Sequence, residues 1–157
     1  MPKQYKRKAR IKNSRLEFDI FKLTTSFSDH TLAEVHELLS IWAITPLQYN
    51  TLSVLYSEDK ENIGLSSKEI DAHLYTRISD VTRLLDRMAD KGWVTRERDT
   101  LNKRVVRTRL TEMGSVLVES AYEPLVALES KRLHHLSENE KMLLSTLLTK
   151  ALNPPEN

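Results

Sequence analysis

The sequence predicts a mainly α fold carrying one small β-hairpin (α+β), and three observations carry that expectation. Apolar residues recur at three-to-four-residue spacing through most of the chain, and Ser- or Thr-led start signals punctuate the pattern. A stretch rich in β-formers, residues 93–110, is split by a polar, basic loop. At 157 residues the chain fits one domain of ordinary size, but long apolar helices at both of its ends would need a partner to cover them.

Composition narrows the class. Hydrophobic residues make up 39% and charged residues 29%, with three Gly and five Pro, the profile of a globular, helix-rich protein and not of a disordered one. The absence of cysteine removes disulfides, thiolate-bound zinc and thiol redox switching, and suits a reducing cytoplasm. No signal-peptide pattern and no run of membrane-spanning length is present, so a soluble, cytoplasmic protein without a membrane partner is expected. The formal charge of +2 hides an asymmetry. Residues 1–15 hold seven Lys or Arg and no acid, residues 77–109 hold ten bases against five acids, and the remainder holds seven bases against seventeen acids. Positive charge gathered on a tail and one core segment is the distribution of a protein that offers one face to a polyanion.

Residues 1–15 form a basic arm, read either as a phosphate-tracking segment or as a solubilising tail. From Arg15 to about Ile41 a helical pattern follows, with Ser26-Phe27-Ser28-Asp29 leaving open whether it is one helix or two. Thr45-Pro46 opens the next helix, Thr as N-cap and Pro at the first helical position, where its missing N–H costs nothing. Leu47, Leu52, Leu55, Tyr49 and Tyr56 in that helix read most simply as core, and a polar loop closed by Gly64 ends it.

Ser66-Ser67-Lys68-Glu69 is a capping box that starts a short helix to His73. After Tyr75-Thr76-Arg77, a second helix is expected to run to about Lys91, with Ile78, Val81, Leu85 and Met88 as its inner stripe. Its outer face would be Arg77, Ser79, Asp80, Thr82, Arg83, Asp86 and Arg87. Two helices joined by a few residues, the second with a polar, basic face, make a helix-turn-helix. Gly92 reads as the left-handed C-terminal stop. Residues 93–98 and 105–110 then form a hairpin around a basic loop, a wing, with Val106, Thr108 and Leu110 on one face and Val105, Arg107 and Arg109 on the other. Thr111 caps a further helical region, and Ser137 to Glu140 is a second capping box before a last, Leu-rich helix. The fold class is thus a winged helix-turn-helix lobe with a helical dimerisation region built from the N- and C-terminal helices.

At these residues the sequence resembles the MarR family of bacterial winged-helix transcriptional regulators. The resemblance rests on the Thr45-Pro46 start, LSSKEI, DVTRLLDRMADKGWVTRERD and the wing through LTEMG, and by pattern it extends over residues 30–150. The family's wing signature, an acid, any residue, Arg, five residues, then Leu-Thr, appears as Asn102, Lys103, Arg104, VVRTR, Leu110 and Thr111. Asn102 stands where the family has Asp, the residue that helps hold the wing arginine, and Asp99 is close enough in sequence to take over.

The resemblance implies a homodimer on double-stranded DNA, with two recognition helices in successive major grooves of a pseudo-palindromic operator and wings in the flanking minor grooves. It divides the chain into an arm (1–15) and one domain (16–152), in which 45–111 is the DNA-binding lobe and 16–44 with 112–152 supply dimerisation helices. Arg83 and Arg77 are expected at base edges, where a guanidinium takes guanine O6 and N7 together. Ser79 and Thr82 are hydroxyl donors for phosphate or bases, and Asp80 either accepts from cytosine or orients an arginine. Arg104 would enter the minor groove and Lys103 touch phosphate. Ser66, Ser67 and Lys68 lie at a helix N-terminus suited to phosphate, with capping as the main task of Ser66. Arg87, Arg96, Arg98 and Arg107 form a weaker tier. Many family members keep a small-molecule pocket, for which Trp42, Tyr49 and Tyr56 are candidates, although aromatic residues at helical spacing are more often plain core.

His30, His36, His73, His134 and His135 show no metal-binding spacing, and neither a phosphate-binding Gly loop nor a nucleophile elbow is present. No cofactor and no enzymatic activity are expected. The expected function is a DNA-binding regulator, a repressor responsive to a small molecule, and the competing reading is a winged-helix protein-interaction module without specific DNA readout.

Overall fold

The computed structural model describes residues 15–76 and 78–153, and the chain forms two compact units, one up to Pro46 and one from Leu47 onward. In the first, α1 runs unbroken over Arg15–Leu39 and passes into a 3-10 turn, Ser40–Trp42. The Ser26–Asp29 stretch does not divide it, and neighbouring hydroxyls bond back to their own helix. Thr24 Oγ1 donates to the Ile20 carbonyl at 2.9 Å and Thr31 Oγ1 to the Phe27 carbonyl at 2.7 Å. Ala43, left-handed at φ 54°, closes the turn with its N–H on the Ser40 carbonyl. Leu39 and Ile44 are buried, whereas Leu16, Phe18, Ile20, Phe21, Leu23 and Phe27 are exposed along α1.

Helix α2 (Pro46–Glu58), whose first helical residue is the expected proline, belongs to the second unit from Leu47 onward. A two-residue strand, β1 (Leu65–Ser66), leads into α3 (Ser67–His73), and α4 covers Val81–Asp90. Strands β2 (Val94–Arg98) and β3 (Val106–Leu110) form the hairpin, and α5 (Glu112–Leu133) and α6 (Glu138–Leu152) complete the described chain. The sheet has the antiparallel order β1-β3-β2, in the register Leu65↔Thr108 and Ser66↔Arg107 on one side and Val94↔Leu110 to Arg98↔Val106 on the other. A strand as short as β1 carries no periodicity and was not expected.

Leu52, Leu55, Ile70, Leu84, Leu85, Met88, Trp93, Val94, Val118, Ala121 and Leu125 are buried in this unit. Each large aliphatic among them contributes about 1.5–3 kcal/mol relative to exposure. Tyr49 and Tyr56 depart from the core reading: Tyr49 is half-buried and Tyr56 is 50% exposed. The helix starts follow their caps. Thr111 Oγ1 accepts the Gly114 N–H at 3.1 Å, and Ser137 and Glu140 form the expected reciprocal box before α6. No residue of α6 is buried, and Met142, Leu143, Leu147 and Leu152 stand open. Among the described residues no helix is long and apolar enough to cross a membrane.

Candidate nucleic-acid interface

The candidate interface takes in α3, α4 and the hairpin loop, and three local devices hold these elements. The first is the α3 cap. Ser66 Oγ accepts the Glu69 N–H at 3.3 Å while Glu69 Oε2 accepts the Ser66 N–H at 2.7 Å. Those contacts, led by the Ser66 hydroxyl, hold the Glu69 carboxyl below the usual carboxylate range. Ser66 is half-buried in its capping position, Ser67 is the first residue of α3, and Lys68 is exposed.

The second device is the start of α4. Asp80 Oδ1 accepts the Arg83 backbone N–H at 2.8 Å, so α4 begins at Val81 and not near Ile78. An N-cap Asp ends the preceding loop because its carboxylate supplies the acceptor that the first turn lacks. Ser79 therefore sits in the loop before the helix, not on its outer face, and Ile78 is a half-buried loop residue. Arg77 lies outside the described residues. Within α4 the division of faces is sharp: Leu84, Leu85 and Met88 are buried, and Thr82, Arg83, Asp86 and Arg87 are exposed. Asp86 is paired with the guanidinium of Arg96 from β2, which also donates to the Thr82 carbonyl at 3.4 Å. That pairing offsets the one acid near the middle of the outer face. Arg83 and Arg87 are exposed and make no ion pair among the described residues.

The third device is the wing. Gly64, at φ 83°, brings the chain against β3 so closely that an added Cβ would lie 2.9 Å from Arg109 Cγ. Asp59 receives the N–H groups of Ile63 and Gly64, each at 2.9 Å, and fixes that turn. In the loop, Asp99 Oδ1 accepts the N–H groups of Leu101 and Asn102 at 2.8 Å each, and Asp99 Oδ2 accepts Arg107 Nε at 2.9 Å. The Asn102 N–H, then Arg107, hold the Asp99 carboxyl below its ordinary range. Arg107 continues across the sheet: its Nη1 donates to Glu69 Oε2 at 3.0 Å and to the Gly64 carbonyl at 3.2 Å. Asn102, at the position where an acid was expected, uses its side-chain carbonyl on the Arg104 backbone N–H at 3.2 Å. Lys103 and Arg104 are exposed, and Leu101 beside them is 97% exposed.

The sequence offers Asp99 as the acid that takes over the wing arginine and Arg107 as a solvated charge or an ion-pair partner; the structure sets the Asp99 carboxylate on Arg107 and not on Arg104, with Glu69 as a second partner that the sequence does not point to. The Ser66 box was visible in sequence, but nothing local says that its glutamate also takes an arginine 38 residues away. Of the aromatic candidates, Tyr49 and Tyr56 line a cleft between α2 and α5, and Trp42 belongs to the 3-10 turn.

The model of the MarR family matches residues 44–106, the stretch that holds the α3 cap, the start of α4 and the wing as far as the first residue of β3. The organic hydroperoxide resistance transcriptional regulator of Bacillus subtilis is 31% identical over 109 residues, covering 69% of this chain and 71% of that one. The chain belongs to the MarR family. A transcriptional repressor of B. subtilis, MdtR, is 26% identical over 123 residues, with 78% of this chain and 77% of that one covered. Among solved structures, a mutant MarR from E. coli complexed with operator DNA superposes with a TM-score of 0.77 at 26% identity, covering 90% of this chain and 99% of that chain. Family and fold together make this MarR-family protein a DNA-binding transcriptional regulator, in a family of regulators and not of enzymes.

Proposed function

We propose that this MarR-family protein is a repressor that binds a pseudo-palindromic operator as a homodimer and responds to a small molecule. The observation that carries the reading is the division of α4, whose buried Leu84, Leu85 and Met88 hold the helix so that Thr82, Arg83 and Arg87 face solvent. Arg83 reads base edges in the major groove, Thr82 supplies a hydroxyl, and Arg87 grips phosphate. Asp80 acts by setting the first turn of the helix. Arg104 enters the minor groove with Lys103 on the adjoining phosphate, and Ser67 and Lys68 meet the backbone at the start of α3. Ser66 serves as the cap, and Ser79 lies in the loop ahead of the reading helix. Contact by Arg77 remains an expectation of the sequence.

Residues 45–111 form the reading lobe of a single domain, and the exposed apolar faces of α1 and α6 form the dimer contact. Repression is favoured by the likeness to the repressor MdtR. Selection of bound sequences from a random DNA pool, at fixed salt, tests the reading. An enriched inverted repeat with half-site centres about 34–36 Å apart is expected. Absence of enrichment, with binding indifferent to salt, would replace it by a protein-interaction module.

A further inference from the structure

Between α2 and α5 lies a cleft of about 640 Å³, a size within the roughly 300–1,000 Å³ of small-molecule sites. From α2 it takes Tyr49, Ser53, Tyr56 and Ser57, which helical spacing places on one side of that helix. From α5 it takes Tyr122 with Glu119, Glu123 and Glu129, above an apolar floor that includes Val118 and Leu125. Three tyrosines and three glutamates line the cleft, and among the described residues no Lys or Arg does.

The charge is not cancelled locally. Tyr56 Oη donates to Glu119 Oε1 at 3.0 Å, a neutral donor that orients the carboxylate without neutralising it. Glu123 and Glu129 have no ion-pair partner among the described residues. Burial first, then the charge of Glu129, raises the Tyr49 phenol, which keeps that ring neutral beside the acids. Aromatic faces attract cations through their quadrupole, and carboxylates at the rim add a direct Coulomb attraction. A carboxylate or phenolate ligand would meet repulsion from all three acids and find no cationic partner.

We propose that this cleft binds a lipophilic organic cation, an aromatic or alkylated ammonium or phosphonium, seated on Tyr49, Tyr56 and Tyr122 and held by Glu119, Glu123 and Glu129. The proposal rests on the small-molecule response proposed above and names its ligand class. Because α5 follows β3 directly through Thr111, the ligand would bear on the helix that continues the wing.

Calorimetry with tetraphenylphosphonium and, separately, salicylate tests the assignment on the full chain. Tetraphenylphosphonium is expected to bind and salicylate not. The combined substitution Glu119→Gln, Glu123→Gln and Glu129→Gln should weaken the cation on the order of tenfold or more. A Tyr122→Leu variant should weaken it by about threefold to thirtyfold. Circular dichroism and operator binding on the same samples confirm that the variants fold. No cation binding, preferred binding of salicylate, or cation binding indifferent to both sets of substitutions would each overturn the assignment. The function is read out separately: a cation that binds in the cleft and leaves operator affinity unchanged removes the ligand response, while operator binding without cation binding removes only the cleft's ligand class.

Discussion

Arg107 Nε donates to Asp99 Oδ2 at 2.9 Å, and the same guanidinium reaches Glu69 at 3.0 Å, so one side chain ties the wing loop to the first turn of α3. Its charge is directed into the protein, toward two carboxylates and a carbonyl. Arg107 is therefore placed as a brace between the wing loop and α3. Arg107→Ala is expected to lower operator affinity while leaving the dependence of log affinity on log salt nearly unchanged, because no phosphate contact is lost. Arg107→Lys should restore little, since one ammonium cannot serve both carboxylates with the geometry of a planar fork. Anisotropy titrations across a salt series check both. A salt slope that falls by a full phosphate contact would place Arg107 on DNA instead.

The brace has a pH signature. The carboxyls of Glu69 and Asp99 are both held below their ordinary values, Glu69 first by Ser66 and Asp99 first by the Asn102 N–H, with Arg107 adding to each. A group whose pKa is depressed on folding contributes stability that is fully present above its unfolded value. That contribution is lost as pH falls through the depressed value. Thermal stability should thus be insensitive to these groups near neutrality and decline below the ordinary carboxylate range. Asp99→Asn should give a shallower decline on acidification, which unfolding curves across acidic pH would show. An unchanged slope would mean that Asp99 gains nothing from its partners.

What was legible in the sequence was local. The Ser66 and Ser137 boxes, Pro46 at N1, the Thr111 cap and the Gly92 stop each depend on residues within one turn of one another, and all appear in the structure. The start of α4 was misplaced because Ile78 continues the three-to-four spacing, and spacing cannot tell an inner loop residue from a helical one. Asp80 carried the decisive signal, a carboxylate three residues before the N–H it caps. Strand β1 and the Arg107 brace depend on pairing across about 40 residues, which no local pattern encodes. Tyr49 and Tyr56 share the helical spacing of core residues, and only the placement of α5 shows that they face a cleft.

Gly114 offers a stability prediction at the joint between wing and α5. A Cβ there would collide with the Trp93 carbonyl oxygen and come within 2.8 Å of Leu110 Cδ2. The backbone cannot retreat, because the Thr111 N–H is bonded to that same carbonyl at 3.1 Å and Thr111 Oγ1 caps the Gly114 N–H. Gly114→Ala should cost about 1–3 kcal/mol despite the better helix propensity of Ala. Urea unfolding at fixed protein concentration measures it, and a neutral or stabilising result would show that the hairpin shifts freely.

The apolar face of α6 predicts assembly. Leu143 and Leu147, one helical turn apart, are 58% and 55% exposed, and α6 buries no residue in the isolated chain. Leu143→Glu with Leu147→Glu should shift the protein to monomer in analytical ultracentrifugation. The same variant should lose most operator affinity, since two half-sites are no longer engaged by one particle. A variant that stays dimeric would move the interface away from α6.

The proposed function gives reading to Arg83 and gripping to Lys103, and the two roles can be told apart. Arg83 projects from the exposed side of α4 with its backbone N–H held by Asp80, so its position on the helix is fixed before DNA arrives. Arg83→Ala should cost about 1–3 kcal/mol on the selected operator and relax preference at one base position in each half-site. Lys103, exposed in the wing loop, should on removal weaken all sequences alike and reduce the salt slope by about 1. Affinities of both variants for the selected operator and for a scrambled duplex, each over a salt series, distinguish the two. If Arg83→Ala weakened both duplexes equally, the residue would grip the backbone, and base readout would have to come from elsewhere on α4.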